Sequence, residues 1–137
     1  MNKAITATVL ASISIAFAGT QNARAHHSFP AQYDESKPVT LTGKITRVEW
    51  TNPHIFIYID VTDEDTSEAE SWALELGGPN ALLRLGWKRD SLQPGDIITV
   101  EGSLARDGSN LANAGTIVMT ETGQRMLAGS SQDAVNP

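Results

Sequence analysis

From Val39 onward apolar and polar residues mostly alternate along this chain, which is the period of a half-buried strand. Val39, Leu41 and Ile45 share one face with Thr40, Thr42, Lys44 and Thr46 opposite, and the phase then slips so that Val48 and Trp50 take the inward positions. A slip beside Gly43 predicts a strongly bent first strand over 39–50, with a bulge. Thr51-Asn52-Pro53 supplies a turn. The second strand, 54–61, puts Ile55, Ile57, Ile59 and Val61 on a branched aliphatic face and His54, Phe56, Tyr58 and Asp60 on the other. An acidic tip over 62–68 leads to a third strand, 69–76, in which Trp72, Leu74 and Leu76 align.

Gly77-Gly78-Pro79-Asn80 breaks this pattern, and Pro79 suits the first position of a short helix over 80–85 that stops at Gly86. Gln93-Pro94-Gly95-Asp96 turns into a fourth strand, 97–106, and Asp107-Gly108-Ser109-Asn110 leads to a fifth, 114–120. Residues 129–137 are small and polar and read as a disordered tail. The prediction is therefore a mainly β protein: a five-stranded OB-fold-like small β-barrel, with one short helix between strands 3 and 4. A β-sandwich is the competing architecture, and it would want more strands than the pattern supplies.

Ahead of the barrel, Met1-Asn2-Lys3, the apolar run 4–18 and polar Thr20-Gln21-Asn22 form the three parts of a signal peptide. The run is shorter than the roughly 20 residues of a spanning helix. Cleavage after Ala23-Arg24-Ala25 would leave His26 first; cleavage after Ala16-Phe17-Ala18 would leave Gly19. The first site is preferred because residues 20–24 read as the polar stretch that precedes a cut. The expected organisation is a signal peptide over 1–25, an extended segment over 26–38, the barrel over 39–128 and the tail. Export to the periplasm or beyond follows.

The 112 residues from His26 onward carry 8 basic and 16 acidic side chains, a net charge of −8. That balance argues against nucleic acid and anionic membranes as partners. The chain has no cysteine, which excludes disulfides and thiolate sites and leaves histidine and carboxylate as the strong metal ligands.

Several motifs together resemble an uncharacterised family of small exported bacterial proteins. They are His26-His27-Ser28-Phe29 with Tyr33-Asp34, Val48-Glu49-Trp50-Thr51-Asn52-Pro53-His54, Gly78-Pro79-Asn80 with Leu82-Leu83, Gly86-Trp87, and Pro94-Gly95-Asp96 with Val100-Glu101-Gly102. The resemblance implies export and a small β-barrel. It brings no activity and no catalytic residues.

The chemistry therefore rests on three histidines, His26, His27 and His54. An N-terminal His26 would offer its amine and ring Nδ1 together. With a distant imidazole from His54, and His27 as an alternative ligand, this gives a planar, nitrogen-rich set that favours Cu(II) and resembles the histidine brace of copper proteins. The two distances along the chain match if the segment reverses near Lys37-Pro38 and runs back beside the first strand, laying Phe29 and Tyr33 over Phe56 and Tyr58. The competing reading is structural: His54 bonds only within its turn, and Phe29 and Tyr33 only pack.

The alternative function is a metal-free module that recognises a polypeptide, glycan or small molecule on an aromatic face of Trp50, Phe56 and Tyr58. Trp72 and Trp87 are expected to be buried. Arg84, Lys88 and Arg89 suit a helix C-terminus, and the acidic tip lacks the glycine and distal glutamate of a calcium loop. No hydrolase elbow or phosphate loop is present, so no catalytic residue is assigned.

Overall fold

The structure is a computed structural model and describes residues 28–129. Residues 1–27, with the expected signal peptide and with His26 and His27, and residues 130–137 of the expected tail lie outside the described residues. One helical turn, α1 (Phe29–Gln32), opens the described chain, and six strands follow: β1 (Tyr33–Glu49), β2 (Phe56–Thr62), β3 (Ala69–Glu75), β4 (Ile97–Ala105), β5 (Leu111–Met119) and β6 (Arg125–Leu127). A short helix, α2 (Pro79–Arg84), lies between β3 and β4. Pro79 begins it, as expected, and Gly86 ends it at a φ of 90° that other residues rarely adopt.

The strands run β3-β2-β1-β4-β5-β6, and a parallel pairing of β3 with β5 joins the sheet back on itself. This order, with a long bent first strand shared between both halves and a helix between β3 and β4, is OB-fold-like. Its connections match the sequence reading, with one addition. Gln124 to Leu127 do not alternate over a long enough stretch to be recognised as a strand, yet β6 pairs with β5 from Thr116↔Leu127 to Val118↔Arg125.

β1 bends as predicted, but two residues share the work. Gly43 faces inward, in phase with Leu41 and Ile45, and a Cβ there would stand 2.6 Å from the carbonyl oxygen of Asp60. The glycine thus lets β2 cross closely. The register shift itself falls between Ile45 and Arg47, turning both Thr46 and Arg47 to solvent and leaving Val48 and Trp50 half-buried against the core.

The inward face of β2 is the centre of that core: Ile55, Ile57 and Ile59 are fully buried, packed with Leu74, Leu76, Ile98, Val100 and Ile117. Trp87 is buried too, and its indole nitrogen donates to the carbonyl of Leu127 at 2.8 Å, fixing α2 to β6. Trp72 is only half-buried, at the margin of the core.

The path of the N-terminal segment differs from the expectation. The chain does not reverse near Lys37-Pro38. Residues 33–49 form one continuous strand, paired with β4 from Tyr33↔Ala105 and Asp34↔Leu104, with only a register irregularity between Asp34 and Pro38. Backbone pairing with β4 satisfies more donors and acceptors than a return over β2's side chains would. Arg106 reinforces it: its Nε donates to Pro30 O at 2.7 Å, its amide to Gln32 O at 2.9 Å, and its guanidinium lies 3.3 Å from Asp34.

Candidate functional site

Ring closure gathers five strand ends at one end of the sheet. The start of β1 meets the end of β4, which meets the start of β5; Asn113 of β5 is paired with Glu75 at the end of β3, and Glu75 with Phe56 at the start of β2. Two residues before Phe56, His54 leaves the turn that contains the cis Asn52-Pro53 peptide. The backbone beside it is fixed by Ile55 N to Gly77 O at 3.2 Å and Leu76 N to Ile55 O at 2.9 Å, while Thr51 Oγ1 donates to His54 O at 3.3 Å.

Glu75 is the centre of this end. Its side chain is 4% exposed, and His54 Nδ1 stands 2.8 Å from its Oε1. The hydroxyl of Tyr33, a residue 1% exposed, donates to Oε2. The Asn113 amide donates to the Glu75 carbonyl at 3.3 Å. An unpaired buried carboxylate would be costly; here both oxygens are engaged, and no buried side-chain polar atom among the described residues lacks a partner. Burial foremost, then the hydrogen bond to Glu75 and its negative charge, push the Tyr33 hydroxyl far above the ordinary tyrosine range.

This arrangement fixes the histidine. With Nδ1–H directed at Glu75, Nε2 is the ring nitrogen left to meet a ligand, on a side chain that is 22% exposed. A carboxylate on one imidazole nitrogen is the usual second-shell partner of a metal-binding histidine. Among the described residues no group of three histidines or carboxylates converges, so His54 would need ligands from elsewhere. Tyr33 also carries the N-terminal segment here: the Phe29 ring packs at 5.3 Å from the Tyr33 ring, and Gln32 Nε2 donates to the Tyr33 hydroxyl at 3.3 Å.

The aromatic residues singled out in the sequence divide differently than expected. Phe56 and Tyr58 are half-buried neighbours with ring centroids 6.4 Å apart. Tyr33 does not cover them, since it turns into the end of the sheet. Arg47 covers Tyr58 instead, its guanidinium 4.0 Å from the ring centre and 2.7 Å from Glu49, whose Oε2 accepts from the Tyr58 hydroxyl at 3.2 Å. Trp50 lies apart, against the core and beside a groove at the other edge of β1. The acidic tip is an exposed turn organised by Asp63, whose Oδ1 accepts from the amides of Asp65 and Thr66 at 2.9 and 2.8 Å.

Glu75 was the residue the sequence pattern passed over. Its signal was a carboxylate between Leu74 and Leu76. Counting back from the hairpin tip puts it opposite Phe56, one diagonal step from His54.

Fold and site together define a class: a small OB-like β protein in which a buried glutamate joins a buried tyrosine to a half-buried histidine at one end of its sheet. Within that class, the chain belongs to a family of unknown function, DUF6152, whose model matches residues 13–114. No match was found among curated proteins. Similar solved structures include two of the mitochondrial single-stranded DNA binding protein Rim1 from S. cerevisiae. One aligns with a TM-score of 0.49 at 10% identity, and the selenomethionine-labelled form with 0.48 at 14%; each alignment covers 61% of this chain and 93% of the other.

Proposed function

We propose that this is an exported, periplasmic copper-binding module in which the amine and ring of a mature N-terminal His26, together with His54 Nε2, hold one Cu(II), with His27 as the alternative ligand. The observation that carries the reading is the sharing of Glu75. One oxygen orients His54 and the other holds Tyr33, against which Phe29 is packed. From Phe29 to His26 is three residues, a reach of about 10 Å. That reach would let the first residues of a chain beginning at His26 come to the histidine whose free nitrogen needs partners. A nitrogen-rich planar set is the chemistry of Cu(II), and binding alone suits carriage or sensing; oxygen activation would need an open coordination position and a substrate surface.

The alternative, metal-free recognition on Trp50, Phe56 and Tyr58, is favoured by one observation: residues 28–38 do not lie over Phe56 and Tyr58, although Arg47 does cover Tyr58 and Trp50 stands apart from both. The net negative charge keeps nucleic acid behind both as a partner.

The test is an intact mass of protein exported by a Gram-negative host, followed by copper titration read by electron paramagnetic resonance. One axial, nitrogen-rich Cu(II) on a chain that starts at His26 is expected, abolished by His54→Ala and by His26→Ala. A chain starting at Gly19, or copper left in its aqueous form, overturns the reading.

A further inference from the structure

Beyond Ile45, β1 is paired on one side only. Up to Lys44 its other edge is joined to β4, and Ile45 prolongs the contact by donating to Asp96 O at 2.8 Å and accepting from Gly95 N at 2.8 Å. The chain ahead of β4 then swings away at Gln93-Pro94, and Pro94 has no amide hydrogen to offer. Past the register shift at Thr46, Arg47 to Glu49 pair with β2, so alternate backbone groups on this stretch face away from any strand among the described residues.

A groove of about 470 Å³ follows that open edge, with Arg47, Val48 and Trp50 on the β1 side and Arg89, Leu92 and Pro94 opposite. The volume is in the range of ligand clefts, roughly 300–1,000 Å³. Its composition is unusual for this molecule, which has an overall charge of −6: two guanidiniums line it against one carboxylate, Asp90. Arg47 is held in place by Glu49 and the Tyr58 ring. Arg89 is exposed and has no ion-pair partner among the described residues. Trp50 packs against the core from behind, so its ring is a fixed surface.

Independently of the metal reading, we propose that this groove accepts an extended acidic peptide, which adds as a strand to the open edge of β1 between Thr46 and Trp50. A strand edge offers donors and acceptors at the spacing of another backbone, which selects a polypeptide over a small anion. Side chains of an added strand alternate. One set meets the apolar surface of Val48, Trp50 and Leu92, and the other carries a carboxylate to Arg89, the guanidinium of the groove without an ion pair among the described residues. Charge complementarity chooses acidic sequences and rejects basic ones.

The experiment uses the full mature protein and a fluorescein-labelled heptapeptide alternating glutamate and valine, capped at both ends. Saturable anisotropy with a change in tryptophan emission is expected. Arg89→Glu, a surface change that leaves the core intact, is expected to weaken binding about tenfold. Two control peptides keep the inference exposed: one with lysine for glutamate, and one N-methylated at alternate amides on the pairing edge, both expected to lose binding. No binding at millimolar peptide, or equal binding of the lysine peptide, overturns the proposal. Equal binding of the N-methylated peptide overturns strand addition. Self-association of the free protein that Arg89→Glu abolishes would give the groove to a second copy instead.

Discussion

Replacing Tyr33 by phenylalanine keeps the ring that packs against Phe29 and deletes only the hydroxyl on Glu75. At neutral pH the variant loses a hydrogen bond to a buried carboxylate, a loss of about 2 kcal/mol. The alkaline side carries a second signature. Burial and the Glu75 charge raise the folded-state pKa of Tyr33 above the ordinary value, so its contribution is fully present below about pH 10, where the tyrosines of the unfolded chain begin to ionise. Above that pH the unfolded state releases a proton that the folded state retains, and wild-type stability falls by an extra ~1.4 kcal/mol per pH unit. The variant has no such slope from this position, and every other side chain is common to both proteins. The two curves should therefore converge above pH 10 and meet near pH 11.5, where about one and a half units of slope offset the lost bond. Urea unfolding followed by tryptophan emission between pH 7 and 11.5 measures this directly. Curves that stay parallel would refute the claim that Glu75 and burial keep Tyr33 neutral.

Other perturbations address separate elements. Glu75→Gln removes the charge that orients His54 and should lower copper affinity about 10- to 100-fold in the same titration, the range of second-shell losses; unchanged affinity would detach Glu75 from the site. Gly43→Ala drives a Cβ into the Asp60 carbonyl at 2.6 Å and should destabilise by about 1–3 kcal/mol, read from the urea midpoint; a neutral result would mean that β2 can back away. Asp63 is held below the usual carboxylate range, first by the Thr66 amide and then by that of Asp65. Its contribution is present above the unfolded pKa and lost as pH falls through the folded one, so Asp63→Asn should flatten the acid side of the stability profile below about pH 4. A profile identical to wild type would show that the tip does not use the charge.

The OB-like sheet was legible because its core strands are unambiguous: Ile55, Ile57 and Ile59 alternate strictly, and a slip of one residue would turn all three to solvent. The turns were legible for a related reason, since Pro79, Gly86 and Pro94-Gly95 act through backbone geometry that their own side chains dictate. β6 was not, because three residues docked on an existing edge need no periodicity of their own. The route of residues 33–38 was misjudged on similar grounds: exposed Glu35, Ser36 and Lys37 look like a loop, while pairing with β4 is a property of the backbone. At the site, His54 could be singled out as a rare residue at a turn. Its relation to Tyr33 and Asn113 depends on the parallel β3–β5 contact, and local patterns carry no information about which distant strands meet.

That contact is also a thin seam, no longer among the described residues than the one that docks β6 on β5. Three residue pairs close the ring, Ala73↔Leu111, Leu74↔Ala112 and Glu75↔Asn113, whereas β2 and β3 are zipped over seven. Its partners are far apart in sequence, so forming it closes a longer loop than a hairpin does, at a higher cost in chain entropy. Parting there unseats Glu75 from Asn113 and slackens the hold on Tyr33 and His54 at once. A ligand gripping His54 and the N-terminus would act as a clasp across that seam, tying its own retention to a long-range strand contact.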